Sequence, residues 1–267
     1  MAHPAPNVGD EDILLRSDSG GIATLTLNRP QARNALSLAL MTAVIDELEA
    51  IAGDASVKAV VIAGNGPAFC AGHDLKEMRA NPGRAFYEKT FSACSRMMQA
   101  VVRLPQPVIA RVQGIATAAG CQLVASCDLA IAADTARFAT PGVNIGLFCS
   151  TPMVALSRNI GRKQAMEMLL LGEMVPAARA LEFGLINRAV PEAELEAAVT
   201  EMAGKIAAKS PLVLKIGKEA FYRQLELGLS DAYDYASKVM TENMLARDAG
   251  EGIDAFIEKR PPVWQGR

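Results

Sequence analysis

Val108-Ile109-Ala110-Arg111-Val112-Gln113-Gly114-Ile115-Ala116-Thr117-Ala118-Ala119-Gly120-Cys121-Gln122-Leu123-Val124-Ala125-Ser126-Cys127-Asp128-Leu129-Ala130-Ile131-Ala132-Ala133 runs from strand to turn to helix and back to strand. The β-branched run 108–112 predicts a buried strand, 113–118 a turn of small residues, 119–127 a helix and 129–133 a second strand. Strand, crossover helix, strand is the local signature of a mostly parallel α/β sheet. The segment 115–133 is apolar enough to suggest a membrane span. Gly120, Gln122, Ser126 and Asp128 interrupt it, and a helix followed by a buried strand explains it without a bilayer.

Toward the N-terminus the same alternation holds. Runs 13–16 and 22–27 flank Gly20-Gly21 and predict a hairpin. Ser37 can cap a helix in which Leu38, Met41, Ile45 and Leu48 recur at helical spacing as far as about residue 52. A buried strand over 58–63, a glycine-punctuated loop over 64–74 and a long helix over 84–103 follow. Toward the C-terminus, a short extended piece at 137–139 and a strand at 186–190 close the alternation. After Pro191 only helices are predicted, over 192–208, 212–227, 229–247 and 251–259. The expected division is therefore a core over 1–199 and a helical oligomerisation region over 200–267. In that region Leu212, Ile216 and Ala220, with Val239, Met240 and Met244, form apolar stripes that a small appendage cannot bury alone.

Across 267 residues, 51% apolar and 21% charged side chains suit a packed core with a polar surface. A formal charge of −2 with no block of like charge predicts neither a nucleic-acid nor a membrane partner. With 8 Phe, 4 Tyr and 1 Trp the core rests on aliphatic residues. The five cysteines, Cys70, Cys94, Cys121, Cys127 and Cys149, are odd in number and lie in apolar stretches, which fits buried thiols in a reducing compartment. His3 and His73 are the only imidazoles, so no metal site is expected. Residues 1–12 carry Pro and acids without the pattern of a signal peptide, and a cytoplasmic location is the expectation.

Gly64-Asn65-Gly66 follows a strand but lacks the third glycine and the helix of a dinucleotide site, and reads as a tight loop. Two strand-to-loop junctions carry more chemistry. Phe69-Cys70-Ala71-Gly72-His73-Asp74 lets a ligand approach the main chain, and Gly114 to Cys121 leads into a helix N-terminus. Free backbone N–H groups at both places can converge on one oxygen as an oxyanion hole, with the helix dipole adding positive potential. Small residues also serve tight packing, and the residues alone leave both readings open.

Asn28-Arg29-Pro30-Gln31-Ala32-Arg33-Asn34-Ala35-Leu36, then 69–78, 114–128, 138–146 and 251–260 resemble, in order, the signatures of the enoyl-CoA hydratase/isomerase (crotonase) superfamily. Ala71 to Asp74, Ala116 to Cys127 and Thr140 to Pro152 are most similar to its enoyl-CoA hydratase domain-containing protein 3 subgroup. The resemblance implies an α/β crotonase-like spiral of repeated ββα units with a helical C-terminal trimerisation region, assembled as a homotrimer or hexamer. It implies an acyl-CoA thioester as partner, with coenzyme A arriving as part of the substrate and no permanently bound cofactor. The oxyanion donors fall on the N–H groups of His73 and Ala119. The loop around the CoA adenine falls on Ala32, Arg33, Ala71 and Leu75. The phosphate-binding lysine, often given by a neighbouring subunit, falls on Lys259. Arg33 stands where other members often have an apolar residue, and suits either a CoA phosphate or plain solvation.

The two glutamates that hydratases of the family use fall on Gln122 and Gly142. An amide cannot take a proton from water, and glycine has no side chain, so acyl-CoA binding is expected and classical hydration is doubtful. His73 is similar in position to a histidine of some decarboxylating members, although a structural role is the alternative. Asp74 and Asp128 read as loop braces, and Cys149 and Ser150 have no base beside them in sequence. A malonyl-type acyl-CoA decarboxylase and a non-catalytic acyl-CoA binder are the rival functions.

Overall fold

The computed structural model describes residues 12–267, so His3 and nearly all of the Pro- and acid-rich segment lie outside the described residues. β1 (Leu14–Ser19) and β2 (Ile22–Leu27) form the expected hairpin, antiparallel from Leu14 opposite Leu27 to Ser19 opposite Ile22. A 3-10 turn (Pro30–Ala32) leads to α1 (Leu38–Ala52), where the Ser37 hydroxyl accepts the Leu40 N–H at 3.2 Å as the expected cap. The chain continues through β3 (Ala59–Gly64), β4 (Ala68–Cys70), α2 (Leu75–Ala80) and α3 (Arg84–Arg103). Next come β5 (Val108–Val112), β6 (Ile115–Thr117), α4 (Ala119–Ser126), β7 (Leu129–Ala133) and β8 (Arg137–Ala139). Beyond a 3-10 turn (Pro141–Ile145) lie α5 (Pro152–Asn159), α6 (Arg162–Leu171), β9 (Val175–Pro176), α7 (Ala177–Phe183) and β10 (Arg188–Val190). Four helices end the chain: α8 (Leu195–Ala207), α9 (Pro211–Gln224), α10 (Leu229–Leu245) and α11 (Arg247–Glu258).

The strands form two sheets, ordered β1-β2-β3-β5-β7-β10 and β4-β6-β8-β9. Each pair β3/β4, β5/β6 and β7/β8 gives its first strand to the larger sheet and its second to the smaller, and a helical segment carries the chain to the next pair. This is the spiral of ββα units. From β2 to β10 the larger sheet is parallel. Its middle strands are mostly apolar, as strands covered on both faces are: β3 is buried from Ala59 to Ala63 and β5 holds Val108, Ile109, Ala110 and Val112 inside, with Arg111 alone partly exposed. α8 lies across this sheet with Leu195, Val199 and Ala203 in the core, so residue 200 falls inside a core-packed helix.

The smaller sheet was hidden in the sequence. The segment 64–74, expected as a loop, contains β4, and 113–118, expected as a turn, contains β6. Strands of three residues are too short to show alternation; they exist because Cys70 pairs with Ala116 and Ala116 with Phe138 across successive units. The helix expected over 229–247 stops at Leu245, where extended Ala246 separates it from α11, which starts four residues earlier than expected. All five cysteines are buried and free.

Asp128 joins α9 to the core. Its carboxylate takes the Lys218 ammonium at 2.6 Å, the Tyr222 hydroxyl at 2.8 Å and the Val108 N–H at 2.7 Å, while Lys218 also donates to the carbonyls of Val101 and Gln106. Lys218 is only 7% exposed, and its burial, opposed by Asp128, pushes its pKa down. Asp128→Ala leaves that cation without its counter-charge and should cost about 3–5 kcal/mol of stability, read as a lower urea midpoint. An unchanged midpoint would mean that α9 is held without this pair.

Candidate active site

Two backbone segments converge where the smaller sheet meets α4. Leu36 donates to the Gly72 carbonyl at 2.8 Å and accepts from the Asp74 N–H at 3.1 Å, which brackets His73 in a parallel bridge and turns the His73 N–H away from Leu36. No protein acceptor takes that N–H among the described residues. Ala119 opens α4, so its N–H has no intrahelical partner. Ala118 before it sits at φ 49°, ψ −118°, a backbone setting that alanine tolerates only under surrounding constraint. The Ala118 N–H is fixed to the Ala139 carbonyl at 2.9 Å, and the Thr117 hydroxyl donates to the Ala71 carbonyl at 3.1 Å.

Glycine makes the convergence feasible. A Cβ on Gly120 would lie 2.1 Å from the Cys70 carbonyl oxygen. Gly72 has φ +93°, and a Cβ there would lie 2.9 Å from the Ala118 methyl and 3.3 Å from the Ala119 nitrogen. The β4 end and the α4 N-terminus thus touch main chain to main chain, with the His73 and Ala119 donors on adjoining strands of backbone.

Gln122 lies one turn into α4, 4% exposed, and its amide oxygen faces the Cys94 thiol of α3 at 3.9 Å. Gly142 is buried in the turn before α5. Its neighbours fill the space a side chain would need: a Cβ would meet the Leu147 carbonyl oxygen at 2.5 Å and the Cys149 Sγ at 2.9 Å. Cys149 therefore occupies part of the space a side chain at position 142 would need, and its thiol is pushed up by burial despite the Gly142 N–H directed at it. Neither Cys149 nor Cys94 is an activated nucleophile.

The match to known proteins is unambiguous in extent. The model of the enoyl-CoA hydratase/isomerase family aligns with residues 17–267. The chain belongs to that family. The enoyl-CoA hydratase domain-containing protein 3 of rat is 47% identical over 263 residues, covering 98% of this chain and 88% of the relative. Among solved structures, an enoyl-CoA hydratase of Mycobacterium smegmatis superposes with a TM-score of 0.93 at 55% identity, covering 95% of this chain and 99% of its own. Human enoyl-CoA hydratase domain-containing protein 3 superposes with a TM-score of 0.92 at 47% identity, covering 94% and 100%. The rat relative is mitochondrial by name, as are those of mouse and human. That corrects the cytoplasmic expectation, which rested on residues 1–12 and on buried thiols; reduced cysteines do not distinguish one reducing compartment from another.

For this member of the enoyl-CoA hydratase/isomerase family, the remaining motif residues distribute as follows. The Ala71 N–H donates to the Arg33 carbonyl at 3.0 Å, so the loops bearing Ala32, Arg33 and Ala71 run side by side. Arg33 is exposed with φ 51°, and Leu75 at the start of α2 is 49% exposed. Lys259, exposed at the C-terminal cap of α11 with φ 55°, has no hydrogen bond to either loop among the described residues. A cavity of about 630 Å³ runs along α3, lined by Arg84, Tyr87, Glu88, Phe91, Ser92 and Ser95. Phe91 meets the His73 ring edge-on at 5.4 Å, which links this face to the donors. Phe91 escaped the sequence reading, and Cys94 was legible only as a buried thiol; on a helix with a regular apolar stripe nothing distinguishes a site residue from a core residue.

His73 Nε2 is shut off from water and has no hydrogen-bond partner among the described residues. Burial pushes the imidazole pKa down to about 4 from its ordinary 6.5, so the ring is neutral at pH 7. A histidine whose folded pKa lies below its unfolded one contributes nothing unfavourable above 6.5 and lowers stability as pH falls toward 4, because the unfolded chain then binds the extra proton. Urea titrations at stepped pH should show His73→Leu with a shallower loss of stability across that window than the wild type. Parallel curves would place the imidazole in a hydrated setting.

Proposed function

We propose that this protein binds an acyl-CoA thioester, takes its carbonyl oxygen between the N–H groups of His73 and Ala119, and stabilises a thioester enolate there. The observation that supports the reading is the close approach of Gly72 to Ala118 and Ala119, beside two backbone N–H groups from different elements that have no partner among the described residues. Donors already aimed at developing charge need no reorganisation during reaction, and the α4 dipole reinforces them. Ala32, Arg33, Ala71 and Leu75 form the seat of the adenine, with the exposed Arg33 guanidinium suited to a phosphate. Lys259 serves the phosphates of a neighbouring copy. Coenzyme A enters and leaves with the substrate.

Hydration of a C=C bond needs a base for water and an acid for the α-carbon. Gln122 supplies neither, and the crowding at Gly142 leaves no room for either. One observation favours a second reading: a polarising site with no carboxylate at these positions and a neutral imidazole nearby suits decarboxylation of a malonyl-type CoA. There the carbon–carbon bond pair passes into the enolate, CO₂ leaves, and the α-carbanion takes a proton from water, which is left as hydroxide, with no base needed to start.

The helical end supports assembly into a trimer or dimer of trimers through the helices that follow α8. No apolar residue of α9 or α10 is buried in the single chain, and Leu229 and Leu245 are each 77% exposed and Phe256 is 85% exposed. Light scattering at micromolar concentration should report three or six chains; a monomer would contradict it.

Calorimetry with octanoyl-CoA should show micromolar binding, and its absence in a folded sample would end the acyl-CoA reading. Loss of enoyl absorbance with crotonyl-CoA should be slower than ordinary hydratase turnover by at least roughly 10²- to 10⁴-fold, the usual worth of one acid or base. Gln122→Glu should raise the rate, whereas Gly142→Glu should fail by steric clash. Fast hydration by the wild type would mean another residue moves the proton. Turnover of malonyl-CoA would select decarboxylation, and binding without turnover of either would select a non-catalytic binder.

A further inference from the structure

His73 lies inside a closed ring of contacts that the proposed chemistry has not used. Arg29, from the turn before α1, donates from Nη2 to Asp74 Oδ2 at 2.9 Å and from Nη1 to the Ala35 carbonyl at 2.5 Å. From Leu36 the ring runs to Gly72 and Asp74 through the two bonds that bracket His73, and so returns to Arg29. Asp74 Oδ1 accepts the N–H groups of Lys76 and Glu77, each at 3.1 Å, as the cap of α2. Glu77 in turn accepts the Leu38 N–H at 3.0 Å, which ties α2 to the start of α1. Behind Arg29, fully buried Asn34 accepts the Arg29 N–H at 2.9 Å and donates to the carbonyls of Asn65 and Ala68.

We propose that the Arg29–Asp74 pair is a positioning device that sets the direction of the His73 N–H, and that it acts on carbonyl polarisation through that N–H without touching the substrate. The inference rests on the reading of His73 as an oxyanion donor. A strand bridge of a single residue is weak by itself: one peptide rotates if either flank slips. The guanidinium fork removes that freedom by gripping both flanks, the Ala35 carbonyl on one side and the Asp74 carboxylate on the other. The pair is well placed for it, with side-chain exposures of 23% and 13%, so solvent screens it less than a surface pair. Burial alone would raise the Asp74 carboxyl, yet the Glu77 N–H and the Arg29 guanidinium bring it below its ordinary value, as expected of a carboxylate held in its charged form.

Helix capping and donor alignment are separable at Asp74. Asparagine caps a helix about as well as aspartate, but in Asp74→Asn its amide NH₂ would face the Arg29 guanidinium, donor against donor. Arg29→Gln approaches from the other side and leaves the Asp74 cap intact. The readout is the absorbance of bound 2,4-hexadienoyl-CoA, which moves to the red as its carbonyl is polarised, alongside the affinity for CoA alone, which has no carbonyl.

The wild type should red-shift the dienoyl band. Asp74→Asn should lose about half of that shift or more, since one of two aligned donors is turned aside, with CoA affinity unchanged within about twofold. Arg29→Gln should lose a similar part of the shift. Full shifts in both variants overturn the positioning role while leaving the oxyanion reading intact. No shift in the wild type overturns the oxyanion reading and this inference with it. Loss of CoA affinity in step with the shift, or failure of both variants to fold, overturns it in favour of a purely structural pair.

Discussion

The approach of the α4 N-terminus to the end of β4 governs this structure. At Gly120 and Cys70 two backbones lie so close that even one methyl group would collide with a carbonyl oxygen, 2.1 Å away. That contact fixes where the smaller sheet ends, where the helix dipole points and how far His73 stands from Ala119. It needs support on both sides: pairing of β4 with β6 and β6 with β8 holds the strand ends level, and the Thr117 hydroxyl on the Ala71 carbonyl closes the corner. The unusual backbone angles of Ala118 are the local consequence.

Around this contact the chain arranges dipoles rather than charges. The donors are main-chain N–H groups, Gln122 is an uncharged amide turned toward a thiol, His73 is neutral, and Cys149 with the Leu147 carbonyl fills the volume beside Gly142. Arg29 and Asp74, which flank His73, are paired with each other, and Asp74 caps α2. Positions 122 and 142 carry no carboxylate, and fixed dipoles without a base suit holding and polarising a thioester better than moving protons at its α and β carbons. That balance underlies the proposal that this member of the enoyl-CoA hydratase/isomerase family departs from hydration.

The helical end obeys a different constraint. α8 finishes the core by covering the larger sheet, whereas α9 is tied down chiefly through Lys218 and Tyr222 on Asp128, a polar anchor at the edge of the core. The C-terminal tail is also held by polar bonds: Asp248 accepts the Ser210 hydroxyl and the N–H groups of Gln265 and Gly266, and the Trp264 indole donates to the Ala208 carbonyl. The single chain thus orients these helices by hydrogen bonds and leaves their apolar faces open, an arrangement that makes sense if a second copy covers them.

The sequence by itself determined the long elements and the class of fold. The hairpin at Gly20-Gly21, the Ser37-capped α1, the strand at 108–112 and the helices after Pro191 were legible because each carries its own periodicity, turn or cap over several residues. Ordered motifs named the family, and the identities of Gln122 and Gly142 raised the expectation of altered chemistry before any geometry. Tertiary structure alone decided the smaller sheet, because β4, β6 and β8 are three residues long and exist only through pairing with one another. It alone lowered the His73 pKa, because burial disfavours the charged imidazole. It alone showed why Gly142 is glycine: not a left-handed turn, but a carbonyl and a thiol from five and seven residues downstream occupying the space, a contact across a loop that no local pattern encodes.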